Sequence, residues 1–259
     1  MRLIDTHSHL FLEEFSEDLP QVIERARAVG VTHIFMPNID STTIDAMLSA
    51  CNTYKGYCFP MIGLHPTSVN ADYVKELEIV ARELKSSGEY VAIGEIGMDL
   101  YWDKTFLKEQ QIVLDKQVNW ALEYDLPVVI HCRDAFDYIY KVLEPYKNCP
   151  LKGIFHSFTG TADEAARILE FSGFSIGING VVTFKKSHLP EVLLEIPLEK
   201  IVLETDSPYL TPVPNRGKRN ESAYVKDTLK KVSEVYQMSP EAVGNVTSEN
   251  ALKVFGMLK

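Results

Sequence analysis

The sequence predicts an α/β protein, a (β/α)8 TIM barrel in a single domain over residues 1–259. Three observations carry this expectation. Eight short, nearly continuous apolar runs alternate with segments of helical period. Each strand-plus-helix unit takes about 30 residues, and barrels of this kind commonly use about 250 in all. Runs without a polar face suit strands buried on both sides, as in a parallel sheet covered by helices. Periodicity alone leaves an open doubly wound sheet as the alternative. No linker, low-complexity segment or second-domain boundary interrupts the chain.

The elements follow in order. Arg2-Leu3-Ile4-Asp5 is a short strand, and Leu19, Val22, Ile23, Ala26 and Val29 mark a helix stopped by Gly30. Val31 to Met36 is a strand closed by Pro37, and Ser41 is the expected N-cap of a helix through Asn52. Cys58 to Leu64 is the third strand, before His65-Pro66; Val74, Leu77, Ala81 and Leu84 mark a helix ending at Gly88. Val91 to Gly94 is the fourth strand, running into Glu95, with a helix from about Lys104 to Tyr124. Pro127 to Ile130 is the fifth strand, ending in His131, with a helix from about Asp134 to Leu143. Gly153 to Phe155 is the sixth, ending in His156; Thr161 with Glu164 forms a capping box that opens a helix ending at Gly173. Phe174 to Ile178 is the seventh strand, followed by a short helix over His188 to Glu195. Lys200 to Leu203 is the eighth, before Glu204-Thr205-Asp206. Val225, Leu229, Val232 and Tyr236 give a helix face, Ser239-Pro240 starts a further helix as N-cap and N1, and a last helix ends at Gly256.

Composition is that of an ordinary globular protein, 46% hydrophobic and 24% charged. No apolar run approaches the about 20 residues of a membrane span, and the first residues lack a secretory signal pattern. The expectation is a cytoplasmic protein with no membrane contact and no stable protein partner. The four cysteines form no C-x-x-C pair, which fits buried thiols in a reducing compartment. A net charge of −10 argues against tight, passive binding of nucleic acid through broad electrostatics.

In a barrel the strand ends gather at one mouth. His7 and His9 project the same way from the end of the first strand, because side chains alternate along a strand. Glu95, His131, His156 and Asp206 follow strands four, five, six and eight, so four of the seven histidines fall at such ends. These are nitrogen and oxygen ligands of the right types for metal ions. Six are too many for one catalytic zinc, which needs an open position. They suit two ions about 3.5–4 Å apart, with Glu95 as the bridging carboxylate. His7, His9 and Asp206 would hold one ion, His131 and His156 the other. Imidazole-rich ligation favours zinc, manganese or cobalt, and mixed nitrogen and oxygen sites also accept magnesium at lower affinity. Asp5, on the same face as His7, is a candidate to accept a ring N–H and fix a ligand tautomer.

The motifs Asp5-Thr-His-Ser-His9, Gly63-Leu-His-Pro66, Gly94-Glu-Ile-Gly-Met-Asp99, Ile130-His-Cys-Arg133, Phe155-His-Ser-Phe-Thr-Gly160 and Glu204-Thr-Asp-Ser-Pro-Tyr-Leu210 resemble the TatD family of metal-dependent deoxyribonucleases, within the amidohydrolase superfamily of barrels. The resemblance covers nearly the whole chain. It implies divalent-metal hydrolysis of phosphodiesters in DNA, with metal ligation by His7, His9, Glu95, His131, His156 and Asp206. It implies further that Asp206 activates water, and that His65 contacts a substrate phosphate. Cys132 stands where many members have Ser, Asn215 where an aromatic is common, and Ser222 where Pro is common. The last two lie in the expected substrate loop and bear on strand preference.

Further candidates surround the mouth. Asp99 and Glu204 are candidates to support the ligands from behind, and Arg133 to touch phosphate. Arg216, Lys218 and Arg219 form a basic loop beyond strand eight, rich in the donors that phosphates need. Lys185 and Lys186 share that reading more weakly; His33 and His188 read as structural. Tyr101 and Trp102 near the mouth are candidates to stack on bases, although aromatics in such places more often simply pack. The function expected is a deoxyribonuclease, an exonuclease on single-stranded or frayed ends with DNA as substrate. The alternatives are a hydrolase of a small cyclic amide or ester, or a non-catalytic metal-binding scaffold. The first often uses a modified lysine as bridge where this chain has Glu95, and the second has no need of Asp206.

Overall fold

The structure, a computed structural model, describes residues 1–87 and 89–258. Strands β1 (Leu3–Asp5), β2 (Val31–Pro37) and β3 (Cys58–Met61) pair in parallel in that order. A second parallel run comprises β4 (Ile93–Asp99), β5 (Val128–Arg133), β6 (Lys152–Phe155), β7 (Gly173–Ile178) and β8 (Ile201–Leu203). Both seams between these runs are stitched. Ile62 bridges Ile93 in parallel, and Gly94 N–H donates to Ile62 O at 2.9 Å. At the other seam Ser8 bridges Ser207, and Thr6 N–H donates to Leu203 O at 3.1 Å. The eight strands therefore close into the (β/α)8 barrel, and the open-sheet alternative falls.

Helices α1 (Leu19–Ala28), α2 (Ile44–Thr53), α3 (Tyr73–Ser87), α4 (Leu107–Glu123), α5 (Phe136–Leu143), α6 (Ala162–Leu169), α7 (Leu189–Leu193) and α8 (Val225–Tyr236) follow the strands in turn. Their buried apolar faces form one cluster with the outer faces of the strands. Ile4, Phe35, Met61, Ala92, Val129, Ile154 and Val202 form a separate cluster, and they meet Ala251, Leu252, Val254 and Phe255 of α9 (Pro240–Val254) and its end. The rings of Phe35 and Phe255 stack at 3.7 Å. Ser248 Oγ donates to Arg2 O, so α9 sits at the strands' N-terminal ends and plugs that end of the barrel. No helix among the described residues is long and apolar enough to cross a membrane.

Several local expectations are corrected. Ser41 does not cap α2; its N–H and Oγ both donate to Glu76, and Thr43 takes the N-cap position. The fourth and fifth strands run on past Glu95 and His131, because the ladder resumes at Ile96 and continues to Asp99 and Arg133. The helix opened by the Thr161–Glu164 capping box has that box, yet ends at Leu169 rather than Gly173. One helix, α9, accounts for both C-terminal expectations, with Ser239 Oγ accepting from Ala242 N–H. The expected stop of α3 at Gly88 lies outside the described residues.

Candidate metal centre

The strand ends bring His7, His9, Glu95, His131, His156 and Asp206 into one cluster, with His65 beside them. Glu95 is central to it. The β4–β5 ladder slips register between Ile93 and Ile96, a bulge that re-aims the intervening side chain. Glu95 N–H then donates to Asn38 O at the end of β2, and its carboxylate is almost wholly buried. Oε2 lies 3.1 Å from His7 Nε2 and 3.7 Å from His9 Nε2. Oε1 lies 2.9 Å from His131 Nδ1, 3.4 Å from His65 Nε2 and 3.7 Å from His156 Nε2. One carboxylate thus offers a different oxygen to each of two histidine groups.

The expected division of ligands differs in one respect. His156 Nε2 lies 3.8 Å from Asp206 Oδ1, its ring stacks on His7 at 3.4 Å, and His7, His156 and Asp206 form one potential ligand group. His131 groups instead with His65 and Glu95. His65, read from sequence as a phosphate contact, therefore stands among the potential ligands. Its place in the tight turn His65-Pro66, with Nδ1 2.6 Å from Thr67 Oγ1, aims Nε2 at Glu95.

The supporting residues divide. Glu204, fully buried, places Oε1 3.0 Å from His156 Nδ1 and accepts from Ser157 N–H at 2.6 Å. Gly177 makes room for it, since a Cβ there would come within 2.4 Å of Glu204 Oε2. Asp99 Oδ2 lies 3.0 Å from His131 Nε2. Asp5 corrects the expectation made for it. It accepts from Thr205 N–H at 2.9 Å, Thr205 Oγ at 2.7 Å and His7 N–H at 3.4 Å, and touches no ring nitrogen. It fastens β1 to the loop after β8, so it sets the backbone that carries His7 and Asp206. Sequence reading missed two buried amides of α4. Gln117 pairs with both backbone groups of Leu64, and Gln110 does the same for Asp99. They stand seven apart, hence on one helical face, which is the signal that marks them.

Burial and charge set the protonation states. Burial raises Asp206 to about 7. Burial pushes Glu95 upward too, but the imidazoles of His7, His65 and His156 outweigh it and hold the carboxyl well below its usual range. Burial lowers His7 strongly and His9 to about 4. For His131 burial is outweighed by Asp99 and Glu95, which raise it to about 9; for His156 it is outweighed chiefly by Glu204, which helps raise it to about 10. Asp206 also holds a left-handed backbone at φ 57°, as do Asp134 and Ser157 at the ends of β5 and β6. Non-glycine residues rarely adopt that conformation, and they concentrate at functional sites.

This donor set fits a divalent ion. His7 Nε2 and His9 Nε2 face one another at 3.1 Å, and His7 Nδ1 is buried without a hydrogen-bond partner. Ligands about 2.0–2.1 Å from a tetrahedral zinc stand about 3.3 Å from one another, close to the spacings around Glu95.

The cluster opens into a cleft of about 700 Å³, lined also by Arg133 and Trp102. Arg216, Lys218 and Arg219 are not in its wall. Arg216 lies over the Phe184 ring at 4.0 Å. Arg219 donates to Asp18 Oδ2 at 2.8 Å and to Glu14 O, and covers Phe15. The expected basic loop is thus spent partly on holding the chain after β8 against α1 and the turn before it.

Residues 4–256 match the family described as TatD related DNase. The chain belongs to the TatD family. An uncharacterized metal-dependent hydrolase of Bacillus subtilis (strain 168), YabD, is 38% identical over 254 residues, 98% of each chain. A protein named 3'-5' ssDNA/RNA exonuclease TatD, from Yersinia pseudotuberculosis serotype O:3 (strain YPIII), is 32% identical over 99% of this chain and 100% of its own. The crystal structure of the TatD homologue YjjV from Escherichia coli K12 superposes with a TM-score of 0.90 at 28% identity, covering 98% of both chains. As a TatD-family protein with these His, Glu and Asp groups, it is a metal-dependent hydrolase.

Proposed function

We propose that the protein is a two-metal phosphodiesterase that trims single-stranded or frayed DNA ends. The observation that carries this reading is Glu95, whose two oxygens face separate histidine groups. A carboxylate that presents one oxygen to each of two histidine groups suits a pair of ions, which it could serve together. His7, His9, His156 and Asp206 would hold one ion and His131 and His65 the other. When bound, divalent ions supply Lewis acidity at the phosphoryl oxygens and lower the pKa of water.

The chain's own groups do the rest. Asp206 lines the cleft, which supports it as the acceptor of the attacking water's proton. Glu204 and Asp99 hold His156 and His131 in fixed ring orientations. Arg133 offers a guanidinium to a phosphate from the cleft wall. The names of the exonuclease relatives support nucleic acid as the substrate class.

The test is release of mononucleotides from an end-labelled single-stranded DNA oligonucleotide with zinc, manganese or magnesium, beside a blunt duplex and a small cyclic amide. Stepwise shortening of the single strand, abolished by chelation, is expected. Turnover of the cyclic amide with an intact oligonucleotide sinks the reading.

A further inference from the structure

Tyr101 and Trp102 lie on the loop between β4 and α4, and both are exposed, Trp102 at 76%. A large aromatic ring left in water at the lip of a cleft invites a ligand. The pair is not slack. The two rings meet edge to face at 4.6 Å and 89°. The Arg133 guanidinium covers the Tyr101 ring at 3.8 Å. Tyr101 N–H donates to Asp99 Oδ1 at 3.0 Å, and the other oxygen of that carboxylate is 3.0 Å from His131 Nε2. The aromatic pair is therefore tied through one carboxylate to the ligand cluster, and Trp102 shares the cleft wall with His65 and His131.

Among the described residues, Arg133 is the sole lysine or arginine in that wall, and it stands beside the rings, 5.6 Å from the Trp102 centroid. An anionic group between cation and ligand cluster, joined to a flat ring that covers Trp102, satisfies both features at once. A nucleotide within a strand has that composition. We propose that Trp102 is the stacking platform for an unpaired base of the strand whose phosphate lies at the Glu95–His131 cluster. This rests on the nucleic-acid reading of the site. In a duplex both faces of an internal base are already covered, so the platform selects single strands and frayed ends. Trp102 acts as a specificity-determining residue, and Arg133 keeps the ring pair upright while it meets the phosphate.

The experiment separates base from backbone. The metal-loaded protein is titrated, by fluorescence anisotropy, with a phosphorothioate-linked thymidine octamer and with an abasic octamer of the same linkage and charge. Stacking on an aromatic ring is worth about 10–100-fold in affinity. The parent is expected to bind the thymidine octamer tighter by that factor. Trp102→Ala erases the difference yet leaves abasic binding and its salt dependence within about twofold. Trp102→Phe restores most of the preference. Trp102 is exposed, so these variants keep the fold. Equal binding of both octamers by the parent overturns the proposal, as does an equal loss for both in Trp102→Ala. Self-association of the parent that disappears in Trp102→Ala assigns the ring to a second copy and overturns it too. If octamers are hydrolysed without base preference, only the platform fails; if neither is bound nor cut, the nucleic-acid reading fails with it.

Discussion

Glu204 Oε1 stands 3.0 Å from His156 Nδ1, with both side chains sealed from solvent. That carboxylate fixes which nitrogen of His156 faces the cluster, and it is the main reason the imidazole holds its proton up to about 10. Glu204→Gln keeps the shape and removes the charge. Loss of such a supporting carboxylate typically costs about 10–100-fold in metal affinity. Competition titration against a chromophoric chelator measures it. Parental affinity in Glu204→Gln would refute the orienting role.

Metal uptake is expected to expel protons. His131 and His156 are raised to about 9 and about 10 in the metal-free protein, so both are imidazolium at pH 7.5. Metal ligands must be neutral, so each must lose its proton on binding. Apparent affinity therefore climbs with pH and levels off as pH passes those values. Calorimetry at pH 7.5 in buffers of different ionisation enthalpy should show release of about two protons. A binding enthalpy independent of the buffer contradicts this.

Asp206 is the group assigned to the proton of the attacking water. Asp206→Asn is expected to fold, to bind DNA and to lose about 10²–10⁴ in kcat, the scale of a missing general base. Metal content measured on the same sample separates this from a lost ligand. Hydrolysis at the parental rate with full metal content removes Asp206 from that role.

Arg133 and Arg219 should behave oppositely, although sequence alone groups both as phosphate contacts. Arg133 lines the cleft, so Arg133→Ala should weaken DNA binding and reduce the salt slope by about one. Arg219 is held by Asp18 and Glu14 O, and Asp18 is kept below the usual carboxylate range chiefly by that contact. Arg219→Ala should lower the thermal midpoint and leave the salt slope intact. A changed slope in Arg219→Ala would return that residue to the substrate path.

The barrel and most of its mouth are legible in the sequence. Apolar runs such as Val128–Ile130 announce strands, and a His, Glu or Asp placed just after one has few structural uses. Other features depend on what lies opposite in space. Nothing in the neighbourhood of Arg219 signals Asp18, 201 residues away. Asp5 reads as a partner for a nearby ring, but the loop after β8 reaches it first through Thr205. Glu95 was visible as a ligand type, yet its two-sided presentation depends on a register slip that periodicity cannot reveal. His65 reads as a substrate contact, and its place among the potential ligands depends on the aim of a turn, which composition does not specify. The Gln110–Gln117 pair carried its signal in a seven-residue spacing, hidden among ordinary polar residues of a long helix.

The Phe35–Phe255 stack and the rest of the α9 plug make the barrel a cul-de-sac. A polymer can enter only as far as the blind end permits, and it leaves by the way it came. No strand can be threaded through the molecule and drawn onward as each unit is removed. On the nuclease reading, a clipped end would have to withdraw or shift within the same opening before its next bond is presented.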